Sequence, residues 1–118
     1  MIRSIDFFSA WTNAHRAELK GIWRKRSSFT NFIKGDNNTV LKLVSEDLGI
    51  SCYPKDYYSI DAVFYSKEDR VPETPENSYW FHDIQIAFEH ENEFNRNLYQ
   101  EVAHLLLLNA QLRVLVTY

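Results

Sequence analysis

The sequence has a single cysteine and lacks the motifs that define several large classes of protein. Cys52 cannot form a disulfide within the chain, and no basic-then-apolar leader precedes the first helical pattern, so we expect a reducing, cytoplasmic setting. The longest apolar run is far too short to cross a bilayer, so no membrane contact is expected. No Cys/His metal spacing, glycine-rich phosphate loop or Gly-x-Ser-x-Gly segment occurs, which excludes the sites that those motifs form.

What the chain has in quantity is apolar and aromatic side chains. Of its 118 residues, 45% are hydrophobic and 15% aromatic, which is enough to bury the core of one domain without disulfides or metals. The sequence contains no repeat, low-complexity tract or linker, so we predict a single domain over residues 1–118. Because the chain stops on an apolar strand pattern, we further expect that the natural polypeptide continues beyond it.

Charge is distributed unevenly along the chain, although the net charge is only −3. Residues 1–34 carry seven Lys and Arg against two acids, so the remainder is acidic. Arg16, Lys20 and Arg24 form a basic row at helical spacing. This row fits contact with phosphate, and it equally fits an ordinary solvated helix face.

The periodicity of the apolar residues predicts an α+β fold, a mixed sheet flanked by helices. We expect the elements in this order: helix 4–26, a helix from Asn38 or Thr39 to Leu48, one or two strands within 50–65 with the second over 57–65, a long turn 66–78, strand 80–91, helix 94–109 and strand 112–118. The last three elements form a right-handed βαβ unit, in which the final strand pairs in parallel with strand 80–91.

Carboxylates mark the place where these strand patterns carry chemistry. In an extended chain Glu89 and Glu91 point to the same face about 6 to 7 Å apart, and they repel each other unless water, a base or a metal ion lies between them. Asp61 falls in the middle of an otherwise apolar strand, where an aspartate needs a partner. Neighbouring strands can bring Asp61 beside the two glutamates, and three carboxylates around one point suit a hard divalent cation such as Mg²⁺.

With these acids, the order of elements resembles the restriction-endonuclease-like superfamily, the PD-(D/E)XK nucleases. Their core runs α-β-β-β-α-β, with an Asp in the second strand and a Glu-x-Lys in the third. The matching segments, within residues 39–118, are Ser59-Ile60-Asp61 and Ile86-Ala87-Phe88-Glu89-His90-Glu91-Asn92. The resemblance implies a metal-dependent nuclease that binds Mg²⁺ or Mn²⁺ through Asp61, Glu89 and the main-chain carbonyl of His90. It also implies nucleic acid, in the first place DNA, as the partner, and a homodimer is a further expectation.

The sequence departs from this pattern at Glu91, which stands where the usual motif has lysine. Some members of the superfamily carry Glu-x-Glu, and Glu91 would then complete the catalytic set as the general base for the attacking water or as a further metal ligand. Alternatively, the site has decayed and the chain is a binding or regulatory module that keeps the nuclease-like fold. We expect the side chains of His82, His90 and His104 to pack or to lie at the surface.

Overall fold

The computed structural model describes residues 1–14, 33–34, 39–75, 78–91 and 97–117. Within these ranges the chain forms a small mixed α+β domain with three α-helices and one four-stranded sheet, which confirms the predicted class. The elements are α1 (Ser4–Ala14), α2 (Val40–Leu48), β1 (Ser51–Tyr53), β2 (Ala62–Tyr65), a 3₁₀ turn (Lys67–Asp69), β3 (Ile86–Glu91), α3 (Leu98–Leu107) and β4 (Leu112–Thr117).

The sheet has the strand order β1-β2-β3-β4 and is mixed. β1, β2 and β3 pair antiparallel, with Ala62 opposite Phe88 in the β2–β3 pair. β3 and β4 are parallel from Ile86 opposite Leu112 to Glu91 opposite Thr117. This confirms the predicted parallel strand after a helical crossover. A parallel connection needs a dozen or more residues, and the segment between Glu91 and Leu112, which contains α3, supplies them.

Helix α2 begins and ends where its capping residues place it. The hydroxyl of Thr39 accepts a hydrogen bond from the backbone N–H of Lys42 at 3.3 Å. At the other end Gly49 has a φ of 68°, and the N–H groups of Gly49 and Ile50 donate to the carbonyls of Glu46 and Ser45. These two bonds form a Schellman motif, so the predicted end of the helix at Leu48 is confirmed.

Side chains alternate across the sheet and divide the core into two parts. Phe64 and Phe88 pack with Phe7 of α1 and with α2 on one face. Val63 and Ala87, their sequence neighbours, pack with α3 on the opposite face. Helices therefore cover both faces of the central strands, and residue 89, two positions beyond Ala87, belongs to the face covered by α3.

The sequence pattern predicts Asp61 in the middle of a strand. This prediction is wrong, because β2 begins only at Ala62, one residue after Asp61. The chain reverses immediately before it: the N–H of Tyr57 donates to the carbonyl of Ile60 at 2.8 Å, and the N–H of Ile60 returns a bond at 3.0 Å. The two residues between them, Tyr58 and Ser59, have φ values of 48° and 70°, which is type I′ geometry. This turn takes up the residues predicted as the first part of the strand.

Strand β3 is likewise shorter than predicted and begins at Ile86. The segment before it bonds to the preceding long turn, since the N–H of His82 donates to the carbonyl of Asp69 and that of Val71 to the carbonyl of Trp80. The helix predicted over residues 4–26 is described only as far as Ala14, the last residue of α1. The predicted basic row of Arg16, Lys20 and Arg24 therefore lies outside the described residues. No helix in the described ranges is long and apolar enough to cross a membrane.

Candidate functional site

The antiparallel pairing of β2 and β3 brings Asp61 and Glu89 side by side. Ala62 pairs with Phe88, so one further step along the same register sets Asp61 opposite Glu89. Their carboxyl groups are close enough to form a hydrogen bond when they share a proton. Two acids that the sequence separates by 28 positions therefore meet at one point beside the sheet.

Asp61 is held in its ionised form by protein groups. Its Oδ2 accepts a hydrogen bond from the backbone N–H of His90 at 2.9 Å and lies 3.0 Å from Nδ1 of the same residue. Burial acts to raise the pKa of Asp61, but the hydrogen bonds and charge of His90 outweigh it and hold this pKa well below its usual range. His90 thus contacts the site as a donor to Asp61, while its ring lies against Phe88 with centroids 6.1 Å apart.

Lys34 brings an ammonium group to the same carboxylate. Its Nζ donates to the main-chain carbonyl of Asp61 at 3.1 Å and lies 3.6 Å from Asp61 Oδ1. The same Nζ is 3.6 Å from Oδ1 of Asp56, an aspartate whose side chain is 81% exposed. Lys34 lies between the two predicted helices, and the sequence did not predict this contact, because no spacing rule links Lys34 to a residue 27 positions away.

The carboxyl group of Glu89 differs from that of Asp61 in its burial and in its hydrogen bonds. It is completely buried, and among the described residues no hydrogen-bond donor reaches either of its carboxyl oxygens. Burial, followed by the neighbouring carboxyl groups of Glu101 and Asp61, raises the pKa of Glu89 far above its ordinary value. Without a cation, this environment therefore favours the protonated carboxyl group, and the polar groups beside it among the described residues are the carboxyls of Glu101 and Asp61.

Helix α3 adds two more side chains to the site. Glu101 and His104 lie about one helical turn apart, so they share the face that covers β3. One ligand atom from each of Glu89, Glu101 and His104 lies within 4.8 Å of the other two. Nδ1 of His104 is buried, with no hydrogen-bond partner among the described residues. The Glu-x-x-His spacing on a predicted helix was the available sequence signal for this pair.

Glu91 lies two residues beyond Glu89 and, by strand alternation, on the same side of β3. It is only 7% exposed and lies opposite Thr117 of β4. Its carboxyl group is not part of the cluster of three ligand atoms, which Glu89, Glu101 and His104 form. The predicted roles of Glu91 as base or ligand, and of the His90 carbonyl as ligand, stay predictions.

Comparison of the chain with protein-family models, with curated proteins and with solved structures finds no match.

Proposed function

We propose that the protein is a metal-dependent nuclease that hydrolyses phosphodiester bonds in nucleic acid, with Asp61 and Glu89 at its reactive centre. The observation that carries this proposal is the meeting of the two carboxyl groups, one of them fully buried and without a donor among the described residues. Anionic groups so placed favour a divalent cation, and Mg²⁺ or Mn²⁺ is the ion that oxygen ligands of this kind prefer.

A bound Mg²⁺ or Mn²⁺ ion would supply an activated water and stabilise the negative charge that develops on phosphorus oxygens. The residues of the chain have separate tasks around it. Asp61 stays ionised because His90 donates to it, so it offers a negative charge at neutral pH. Glu89, once deprotonated, would hold the cation from the buried side. Glu91 keeps the role of general base or further ligand in this proposal.

Lys34 offers a substitute for the lysine that the resembling motif would place at position 91. Its ammonium group contacts Asp61, so it puts a positive charge at the edge of the proposed reactive centre. A cation near attacking water or a phosphate oxygen stabilises the transition state for phosphoryl transfer. The departure at Glu91 is thus compatible with activity.

The second candidate is a binding or regulatory module that keeps the fold without catalysis. It is favoured by the environment of Asp61, whose carboxylate already accepts a hydrogen bond from the backbone N–H of His90 and lies 3.6 Å from Nζ of Lys34 without any metal ion. An aspartate bonded in this way also serves as a structural link between β2, β3 and the segment that carries Lys34.

Cleavage assays on single- and double-stranded DNA and on RNA, with millimolar Mg²⁺ or Mn²⁺, distinguish the two functions. We expect metal-dependent cleavage by the wild type and its loss in Asp61→Asn. Asp56→Asn is the matched control, since Asp56 contacts the same Lys34 but its side chain is exposed. If the wild type cleaves none of these substrates, or if Asp61→Asn is folded and cleaves as fast as Asp56→Asn, the nuclease proposal is wrong.

A further inference from the structure

The cluster on the α3 side of the sheet contains buried polar groups to which no described residue supplies an N–H or hydroxyl donor. Both carboxyl oxygens of Glu89 and Nδ1 of His104 are buried, and no amide, hydroxyl or basic group among the described residues bonds to them; Glu89 has only the carboxyl groups of Asp61 and Glu101 beside it. A buried polar group without a partner costs about 1 to 3 kcal/mol, so such groups are rarely kept without a reason. Here they belong to neighbouring side chains that converge with Glu101.

The geometry of the cluster is close to that of a coordination sphere. Metal–oxygen and metal–nitrogen bonds of about 2.0 to 2.2 Å put ligand atoms on one ion at most roughly 4.4 Å apart. The three ligand atoms lie within 4.8 Å of one another, so closing by a few tenths of an ångström brings them onto one ion. Glu101 and His104 are both only half-buried, so theirs are the side chains that would adjust.

The chemistry of the three side chains selects the class of ion. Two carboxylates without nitrogen suit Mg²⁺ or Ca²⁺, whereas an imidazole nitrogen is a ligand for first-row transition metals. Two carboxylates also neutralise a divalent charge, and the half-buried positions of Glu101 and His104 leave an approach from the solvent side of α3.

We propose that Glu89, Glu101 and His104 form a binding site for one transition-metal ion of the Mn²⁺ or Zn²⁺ kind. The site shares Glu89 and the ion Mn²⁺ with the nuclease proposal, but it adds two ligands on α3, one of them a nitrogen, that the nuclease proposal does not contain. It stands whether or not the protein cleaves nucleic acid. Asp61 is not needed as a ligand, because His90 and Lys34 already bind its carboxylate.

Titration of the chelator-treated protein with Mn²⁺, Zn²⁺ and Mg²⁺ tests this site. We expect one Mn²⁺ or Zn²⁺ per chain, bound more tightly than Mg²⁺, and an affinity at least about 10-fold weaker in Glu101→Gln and in His104→Gln. The matched controls are Glu46→Gln and His82→Gln, which change exposed residues of the same types and should leave the affinity unchanged. Asp61→Asn should also bind, even if it has lost cleavage.

Pulsed electron paramagnetic resonance of Mn²⁺ bound to the wild type adds a measurement that needs no variant. We expect coupling to one nitrogen, from His104, and loss of that coupling in folded His104→Gln. Absence of stoichiometric Mn²⁺ and Zn²⁺ binding, or binding without nitrogen coupling, would overturn the proposal. So would binding that survives both α3 substitutions but disappears in Asp61→Asn, since the ion would then lie between Asp61 and Glu89 alone.

Discussion

Replacing Glu89 by glutamine should stabilise the metal-free protein, although it removes a charged residue from the core. Glu89 is fully buried, receives no hydrogen bond from a described donor and lies beside the carboxyl groups of Asp61 and Glu101. Glutamine has nearly the same shape, carries no charge and supplies two N–H donors that can bond to those carboxylates. Removing an unsatisfied buried group is worth about 1 to 3 kcal/mol, so we expect the free energy of unfolding to rise by about 2 kcal/mol at pH 8. For a chain of 118 residues this raises Tm by roughly 6 to 10 °C.

The stabilisation of Glu89→Gln relative to the wild type should depend on pH, in a direction set by the raised pKa of Glu89. The folded protein keeps a proton on Glu89 that the unfolded chain releases near the ordinary value of 4.5, so wild-type stability falls as pH rises above that value. The loss is at most about 1.4 kcal/mol per pH unit for one proton. The advantage of Glu89→Gln should therefore be small near pH 4 and grow toward pH 8.

Urea and thermal unfolding in the presence of a chelator, between pH 4 and pH 8, measure this difference. Glu46→Gln is the control, because Glu46 is an exposed acid on α2 and its replacement should change Tm by less than the Glu89 substitution at every pH. A variant Glu89→Gln that is less stable than the wild type at pH 8, or whose advantage is the same at every pH, would refute the account of Glu89 as a buried carboxyl group without a donor.

Three further predictions concern other residues. Asp61→Asn should lower the free energy of unfolding by about 1 to 2 kcal/mol at pH 7, because it removes a negative charge bonded to His90 and Lys34. Since the pKa of Asp61 is depressed, the stability that this residue contributes is present above about pH 3.8 and is lost as the pH falls. The unfolding curves of wild type and Asp61→Asn should therefore converge in acid. Burial raises the pKa of the Cys52 thiol to about 12, so iodoacetamide at pH 8 should label the native protein at least about 10-fold more slowly than the urea-unfolded chain, and equal rates would contradict the burial. Gly49→Ala should cost about 1 kcal/mol in urea unfolding through backbone strain at a φ of 68°, because no atom lies within 4 Å of the added Cβ; a neutral result would mean that α2 does not need the left-handed end.

Local signals predicted the parts of the fold that local interactions determine. The bounds of α2 follow from Thr39 and Gly49, which satisfy the helix ends within a few residues in the chain. The parallel β3–β4 pair follows from an apolar terminal strand after a helix. The predicted start of β2 was wrong because Tyr58 and Ser59 adopt positive φ values and form a turn. Positive φ is uncommon for residues other than glycine, and strand propensities give no sign of it.

The candidate site was predictable only in part, for a different reason. Asp61 and Glu89 could be paired from the order of strands, because antiparallel neighbours bring their ends together. Glu101 and His104 depend on how α3 rotates against the sheet, and Lys34 depends on a contact across 27 positions. Neither the rotation of a helix nor a long-range contact of a flexible side chain is encoded in spacing along the chain.

The effect of Mn²⁺ on thermal stability tests the role of Glu89 as a metal ligand, on which both proposed uses of the site depend. At a Mn²⁺ concentration about 100 times the dissociation constant, binding to the folded state adds about 2.7 kcal/mol, which raises Tm by roughly 8 to 13 °C. We expect this rise in the wild type and in Glu46→Gln, and no rise in Glu89→Gln. A wild-type Tm that is indifferent to Mn²⁺, Zn²⁺ and Mg²⁺, or an equal rise in Glu89→Gln, would contradict this role of Glu89.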